Sequence, residues 1–141
     1  MDKEVLNLVN QKDDLQLVIR CHLVIEHYLV KFIELKLVNP EEFNSERLNF
    51  RQKVELAIAL GSIDKSKKGI LLALNKLRNK YAHDMRHKVT DNEIKQLESA
   101  LYSSGRIGLS NTSYYDKSTV EKLGGIFLLI YTHLSMDFEN A

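Results

Sequence analysis

Proline is the strongest breaker of an α-helix, and this chain of 141 residues contains a single one, Pro40. Glycine, the next strongest breaker, occurs only six times. Few positions therefore force the backbone out of helical geometry. Tryptophan is absent and β-branched residues do not dominate, so the sequence predicts long helices.

Apolar residues recur at intervals of three and four along most of the chain, which is the spacing of one helix face. These stripes predict four long helices and one or two short ones, within the ranges 12–37, 50–61, 64–85, 90–101 and 118–134. A chain of this length supports one sizeable core but rarely two. We therefore predict a single domain over residues 1–141, an all-α, up-and-down bundle of four to five helices.

Residues typical of helix ends mark several boundaries. Asn39 before Pro40 predicts the start of a short helix, and Gly61 predicts the end of another. Asp64 is placed to cap the helix that follows. A Ser- and Gly-rich loop is expected from Ser103 to Ser113. Two further starts carry the capping-box pattern: Thr90 with Glu93, and Ser118 with Glu121.

Cysteine usage and the N-terminal sequence bear on the compartment. Cys21 is the only cysteine, so no intramolecular disulfide is expected, and a lone thiol suits a reducing environment. The first residues lack the basic and apolar regions of a secretory signal. The stretch from Leu123 to Met136 is too short to span a bilayer. The expectation is a soluble cytoplasmic protein without membrane contact.

Positive charge is concentrated in one segment. The whole chain carries a net charge of +1, which argues against non-specific nucleic-acid binding through its entire surface. From Lys65 to Lys88, however, eight lysines and arginines accompany one acid, Asp84. A polyanionic partner is expected along this segment. The candidate RNA-binding residues are Lys76, Lys80, Arg86 and Lys88.

The predicted helix within this basic segment has two different faces. One is apolar and should enter the core: Ile70, Ala73, Leu74, Leu77 and Tyr81. The nearly opposite face mixes residue types: Leu72, Lys76, Asn79 and His83. Arg78 lies at the border between them. A cleft or a subunit interface would accommodate the mixed face.

Arg78 and His83 have the side-chain chemistry needed to cut RNA without a metal ion. An imidazole can remove a proton from a ribose 2′-hydroxyl or give one to the departing 5′-oxygen. A guanidinium offers a planar fork of donors to the negative phosphorane. Asn79 could orient the imidazole or donate to phosphate. The pair lies about 140° apart around one helix, so two copies related by a twofold axis could complete the site.

The segment from Leu77 to His83, Leu-Arg-Asn-Lys-Tyr-Ala-His, resembles the signature of the HEPN superfamily. That signature is an Arg, four residues and a His, with a polar residue directly after the Arg. The stretch from Asn49 to Ile63 is similar to the preceding helix in the mannitol-operon repressor group of the superfamily. Together the similar regions cover roughly residues 15–90.

This resemblance implies a HEPN-like bundle, a homodimer and, as in many members, a metal-independent endoribonuclease that acts as a toxin or in defence. Arg78 and His83 would be the catalytic pair and Asn79 their polar companion, with no cofactor. An antitoxin or a regulatory protein is a possible partner. Toxins silenced by nucleotidylation have a Tyr shortly after the His, whereas Asp84 follows here. That form of control is therefore not expected.

A second hypothesis is a non-catalytic dimerisation or regulatory module, similar to the mannitol-operon repressor group. In that case Arg78 pairs with a neighbouring helix and His83 caps a helix end. His22 and Glu26 lie one turn apart, but no Cys or Asp cluster accompanies them, so we predict a polar pair and no metal site. Tyr81 is predicted to be a core or interface aromatic. Cys21 is predicted to be structural.

Overall fold

The computed structural model describes residues 3–9, 13–104 and 117–141, and over these residues the chain forms α-helices and short 3₁₀ turns but no β-strand. The α-helices are α1 Lys3–Val9, α2 Asp14–Glu34, α3 Phe50–Ala59, α4 Lys68–His83, α5 Asp91–Ser103 and α6 Thr119–Glu139. The 3₁₀ turns are Pro40–Glu42, Ser45–Arg47 and Lys65–Lys67. The all-α prediction is confirmed.

The number of helices differs from the predicted four to five, because the described residues contain six. No sequence pattern predicted α1, because a helix of 7 residues is too short to show an apolar repeat. A helix of this length is unstable alone. It packs against α2 and α6, and its Val5 side chain is buried, so tertiary contacts stabilise it.

Most predicted helix ends are confirmed. The side chain of Thr90 accepts a hydrogen bond from the Glu93 amide, and the Glu93 carboxylate accepts one from the Thr90 amide. Gly61 has a φ of 77°, the left-handed conformation that glycine adopts without strain just after α3. A short helical turn begins at Pro40, as predicted, but it is a 3₁₀ turn and the Asn39 side chain makes no capping bond. The predicted loop from Ser103 to Ser113 falls largely outside the described residues.

The buried apolar side chains form one cluster to which α2 to α6 all contribute. The predicted core stripe of α4 is confirmed: Ile70, Leu74, Leu77 and Tyr81 are buried and Ala73 packs against them. This helix contacts α2, α3 and α5. Its remaining face is left open, and that face carries the basic and polar residues of the motif.

Cys21 is buried on α2 and burial raises the pKa of its thiol to about 12. It therefore stays protonated and packs as a small apolar group, as predicted. In the described part of the chain no helix combines the length and the hydrophobicity needed to cross a membrane.

Candidate functional site

Helix α4 presents the three predicted catalytic residues along its open side. Arg78 is half-buried, whereas Asn79 and His83 are exposed. His83 is the last residue of the helix. The core stripe fixes the rotation of α4, so burial of Leu77 and Tyr81 determines where these side chains emerge.

A polar cavity of about 350 Å³ lies between α2, the start of α3 and α4. This volume is in the lower part of the range for small-molecule sites, about 300–1,000 Å³. Arg78 and Asn79 both line it, so the structure brings these two predicted residues together. His83 is not part of its wall. The lining residues are His22, Glu26, Asn49, Phe50, Arg51, Asn75, Arg78 and Asn79.

Among the described residues, the Arg78 guanidinium has one hydrogen-bond partner. Its Nη1 lies 3.5 Å from Oδ1 of Asn79, at the long limit for a hydrogen bond. Within the described parts of the chain it forms no ion pair with a carboxylate. A half-buried guanidinium that no acid neutralises is available to an anion from outside the protein.

The His22 imidazole forms one wall of the cavity and is 5% exposed. Its Nε2 lies 3.1 Å from Oδ1 of Asn75, and its ring centroid is 4.3 Å from that of Phe50. Burial lowers the pKa of His22 below its usual range, and the positive charge of Arg78 acts in the same direction. Asn75 and Glu26 oppose the shift without cancelling it. The imidazole is therefore neutral at pH 7.

The predicted pairing of His22 with Glu26 is present, but each residue has a closer partner. Nδ1 of His22 is 4.0 Å from Glu26, while Lys53 approaches the same carboxylate at 2.5 Å. Lys53 is buried and needs this counter-charge. Among the residues that the structure describes, no group of three or more metal-binding side chains occurs.

The four predicted RNA-binding residues fall into two groups. Lys80 forms an ion pair with Glu93 at 3.0 Å, and Lys88 lies 3.4 Å from Asp14. Lys76 and Arg86 are exposed and form no ion pair with any described carboxylate. The first group therefore serves partly to compensate buried acids, and only the second is wholly available to a polyanion.

Sequence reasoning missed Asp14, which ties the end of α4 to α2. Its Oδ2 accepts hydrogen bonds from the Tyr81 hydroxyl at 2.6 Å and from the Val89 amide at 3.0 Å. Burial alone would raise the pKa of Asp14, but these bonds and Lys88 outweigh it, and the pKa lies below its ordinary value. The prediction that Tyr81 is a core aromatic is confirmed, since it is fully buried.

Glu93 anchors the segment that follows α4 from the other side. Its carboxylate accepts hydrogen bonds from the Lys80 ammonium at 3.0 Å and from the Thr90 amide at 3.0 Å, and lies 2.8 Å from Nε2 of His87. Burial would raise its pKa, but these partners hold it below the ordinary value. Asp14 and Glu93 together fix the chain just beyond His83.

Comparisons of the chain with protein-family models, with curated proteins and with solved structures gave no match.

Proposed function

We propose that the protein is a cytoplasmic, metal-independent endoribonuclease of the HEPN type that acts as a homodimer. The observation that carries the proposal is the Arg78 guanidinium, half-buried in a polar cavity without an acidic partner among the described residues. Asn79 lines the same cavity, and His83 lies one helical turn beyond Asn79. The segment around them is strongly basic, which favours a polyanionic substrate.

The proposed reaction is an internal transfer at phosphorus. One imidazole takes the proton of the ribose 2′-hydroxyl, and the 2′-oxygen attacks the adjacent phosphorus. The bond from phosphorus to the 5′-oxygen breaks, and a second, protonated imidazole gives its proton to that oxygen. Arg78 donates hydrogen bonds to the phosphorane oxygens as negative charge builds up on them. The products are a 2′,3′-cyclic phosphate and a 5′-hydroxyl, and neither water nor a metal ion is consumed.

Two copies of the chain are needed for this chemistry. His83 does not line the cavity that holds Arg78, and one imidazole cannot be the base and the acid of the same step. A twofold axis near the end of α4 would supply two imidazoles and two guanidiniums around one cleft. Met85, 75% exposed beside His83, offers apolar surface for such a contact.

The test is cleavage of a structured RNA in EDTA by purified wild-type protein, with analysis of the product ends. We expect a 2′,3′-cyclic phosphate, and we expect Arg78→Ala and His83→Ala each to lower the rate by about 100-fold or more. Asn92→Ala, an exposed change on α5, is the matched control and should keep the wild-type rate. Full activity in His83→Ala would exclude the role given to that residue.

One observation favours the alternative, a non-catalytic dimerisation or regulatory module of the mannitol-operon repressor type. Catalytic imidazoles are usually oriented by a hydrogen bond to the second ring nitrogen, and His83 makes none with the described residues. This alternative predicts a folded dimer that leaves RNA intact under all the conditions above and binds a protein partner. An antitoxin or a regulator would be the partner in either case.

A further inference from the structure

The Asn75 amide turns its oxygen toward His22, and this orientation determines the tautomer of the imidazole. Oδ1 of Asn75 lies 3.1 Å from Nε2 of His22. A carbonyl oxygen can only accept, so His22 must be the donor, and its neutral ring carries the proton on Nε2. The amide nitrogen of Asn75 is therefore turned away from His22. Among the described residues it has no acceptor, and Asn75 lines the cavity.

The Asn79 amide is oriented in the same way, with its oxygen toward a donor on the protein. Its Oδ1 accepts the long hydrogen bond from Nη1 of Arg78, at 3.5 Å, and its amide nitrogen has no acceptor among the described residues. Asn75 and Asn79 are neighbours one turn apart on α4, with Arg78 beside both. The α4 wall of the cavity thus presents donors: two amide nitrogens and a guanidinium.

The other charges of the cavity are already paired. Glu26 is the one acid among the described residues that line it, and it is bound by Lys53. Arg51 forms an ion pair with Glu55 at 2.8 Å. Arg78 has no ion-pair partner among the residues that the structure describes, so the cavity combines an uncompensated positive charge with hydrogen-bond donors. An anion with several oxygens satisfies that combination better than a neutral or cationic ligand.

We propose that this cavity is a phosphate-binding subsite in which Asn75 donates to the anion held by Arg78, and in which His22 is a positioning residue that sets the Asn75 amide. The assignment of the bound phosphate to an RNA backbone rests on the proposed function. The phosphate site itself does not, because it follows from the donors alone. Asn75 and His22 then belong to substrate binding together with Arg78 and Asn79.

The first test replaces one amide by its isostere. Asn75→Asp keeps an oxygen that accepts from His22 but turns the donor into a negative oxygen. Binding of inorganic phosphate, of adenosine 3′-monophosphate and of adenosine is measured by NMR titration of the full chain. Asn92→Asp adds the same charge on α5, outside the cavity, and is the control. Circular dichroism and thermal melting verify that each variant is folded.

We expect wild type and Asn92→Asp to bind phosphate and the nucleotide but not adenosine. Affinity in Asn75→Asp should fall by at least about tenfold, because a charged hydrogen bond is lost and a repulsion is added. Unchanged phosphate affinity in Asn75→Asp would overturn the proposal. The proposal would also be overturned if adenosine bound as tightly as its 3′-monophosphate, or if the wild-type protein bound no phosphate.

The second test concerns His22. In His22→Leu the donor to Asn75 is gone and the amide can rotate, so phosphate affinity should fall about three- to tenfold. In His22→Gln an amide N–H can replace the imidazole N–H, and the affinity should stay within about twofold of wild type. A general packing defect would affect both variants. Equal loss in both, or no loss in His22→Leu, would contradict the positioning role.

These outcomes are separable from those of the nuclease assay. If Asn75→Asp abolishes phosphate binding and the wild-type protein never cleaves RNA, the phosphate subsite is supported and the proposed function is rejected. RNA cleavage at the wild-type rate by a folded Asn75→Asp variant would support the proposed function and reject the phosphate subsite.

Discussion

At the scale of single residues, Arg78 and Asp14 show how the same fold treats two charges differently. Asp14 is buried but satisfied by Tyr81, by the Val89 amide and by Lys88. Arg78 is half-buried, and in the part of the chain that the structure describes its guanidinium makes one long hydrogen bond, to Asn79. A buried charge destabilises the fold when one of its partners is removed, whereas a charge without such partners is a candidate binding group. Asp14 holds the end of α4, and under the proposed function Arg78 binds the substrate.

Replacement of Asp14 by Asn should destabilise the protein. The Tyr81 hydroxyl and the Val89 amide lose a charged acceptor, which costs about 1–3 kcal/mol in the free energy of unfolding at pH 7. Urea unfolding measures this change. Asp13→Asn is the matched control, because Asn caps a helix about as well as Asp, and it should remain close to wild type. An Asp14→Asn variant as stable as that control would contradict the anchoring role.

The same residue predicts a pH dependence. The folded-state pKa of Asp14 lies below the ordinary value of 3.8, so the unfolded chain takes up its proton first as the pH falls. The stabilisation is complete above the ordinary pKa and is lost as the pH falls through the folded-state pKa. Wild-type stability should therefore drop below about pH 4. Asp14→Asn should show a smaller drop, whereas an identical drop in both proteins would contradict this account.

At the scale of elements, α4 shows which structural features could be predicted from the sequence and which could not. Its core stripe was predictable, because burial follows the 3.6-residue period of the helix. The composition of the cavity around Arg78 could not be predicted. His22 and Asn75 lie 53 positions apart in the sequence, and only the packing of α2 against α4 brings them together. The α1 helix was missed for a related reason, because its stability comes from tertiary contacts. The motif from Arg78 to His83 could be recognised from the sequence because it lies within one helix.

Lys76 and Lys80, one turn apart on α4, should respond differently to truncation. Lys76→Ala removes a cation that no described carboxylate pairs, so it should weaken RNA binding and lower the salt slope of the affinity by about one. Its stability should stay within about 0.5 kcal/mol of wild type. Lys80→Ala leaves the buried Glu93 with less compensation and should lower stability by about 0.5–2 kcal/mol. Affinity titrations at several salt concentrations and urea unfolding separate the two. Equal effects of both variants would contradict the assignment.

At the scale of the whole molecule, the proposed catalytic site depends on where two chains contact each other. The surface of one chain carries a nearly balanced charge, while the segment from Lys65 to Lys88 concentrates the positive residues on and around α4. Two such segments across a twofold axis would form one basic cleft, and they would repel each other less with a polyanion between them. The proposed function therefore predicts that RNA binding strengthens dimerisation. The position of the twofold axis is the point on which the catalytic proposal rests.

That position can be measured by crosslinking through one introduced thiol. Ala82 is exposed on α4 between Arg78 and His83, and native Cys21 is buried and unreactive. With a short bismaleimide, Ala82→Cys should give a covalent dimer, whereas Ser99→Cys, exposed on α5, should remain largely uncrosslinked. Both variants should sediment as the wild-type dimer. A crosslinked dimer from Ser99→Cys and none from Ala82→Cys would place the α4 motifs apart and contradict the shared catalytic cleft.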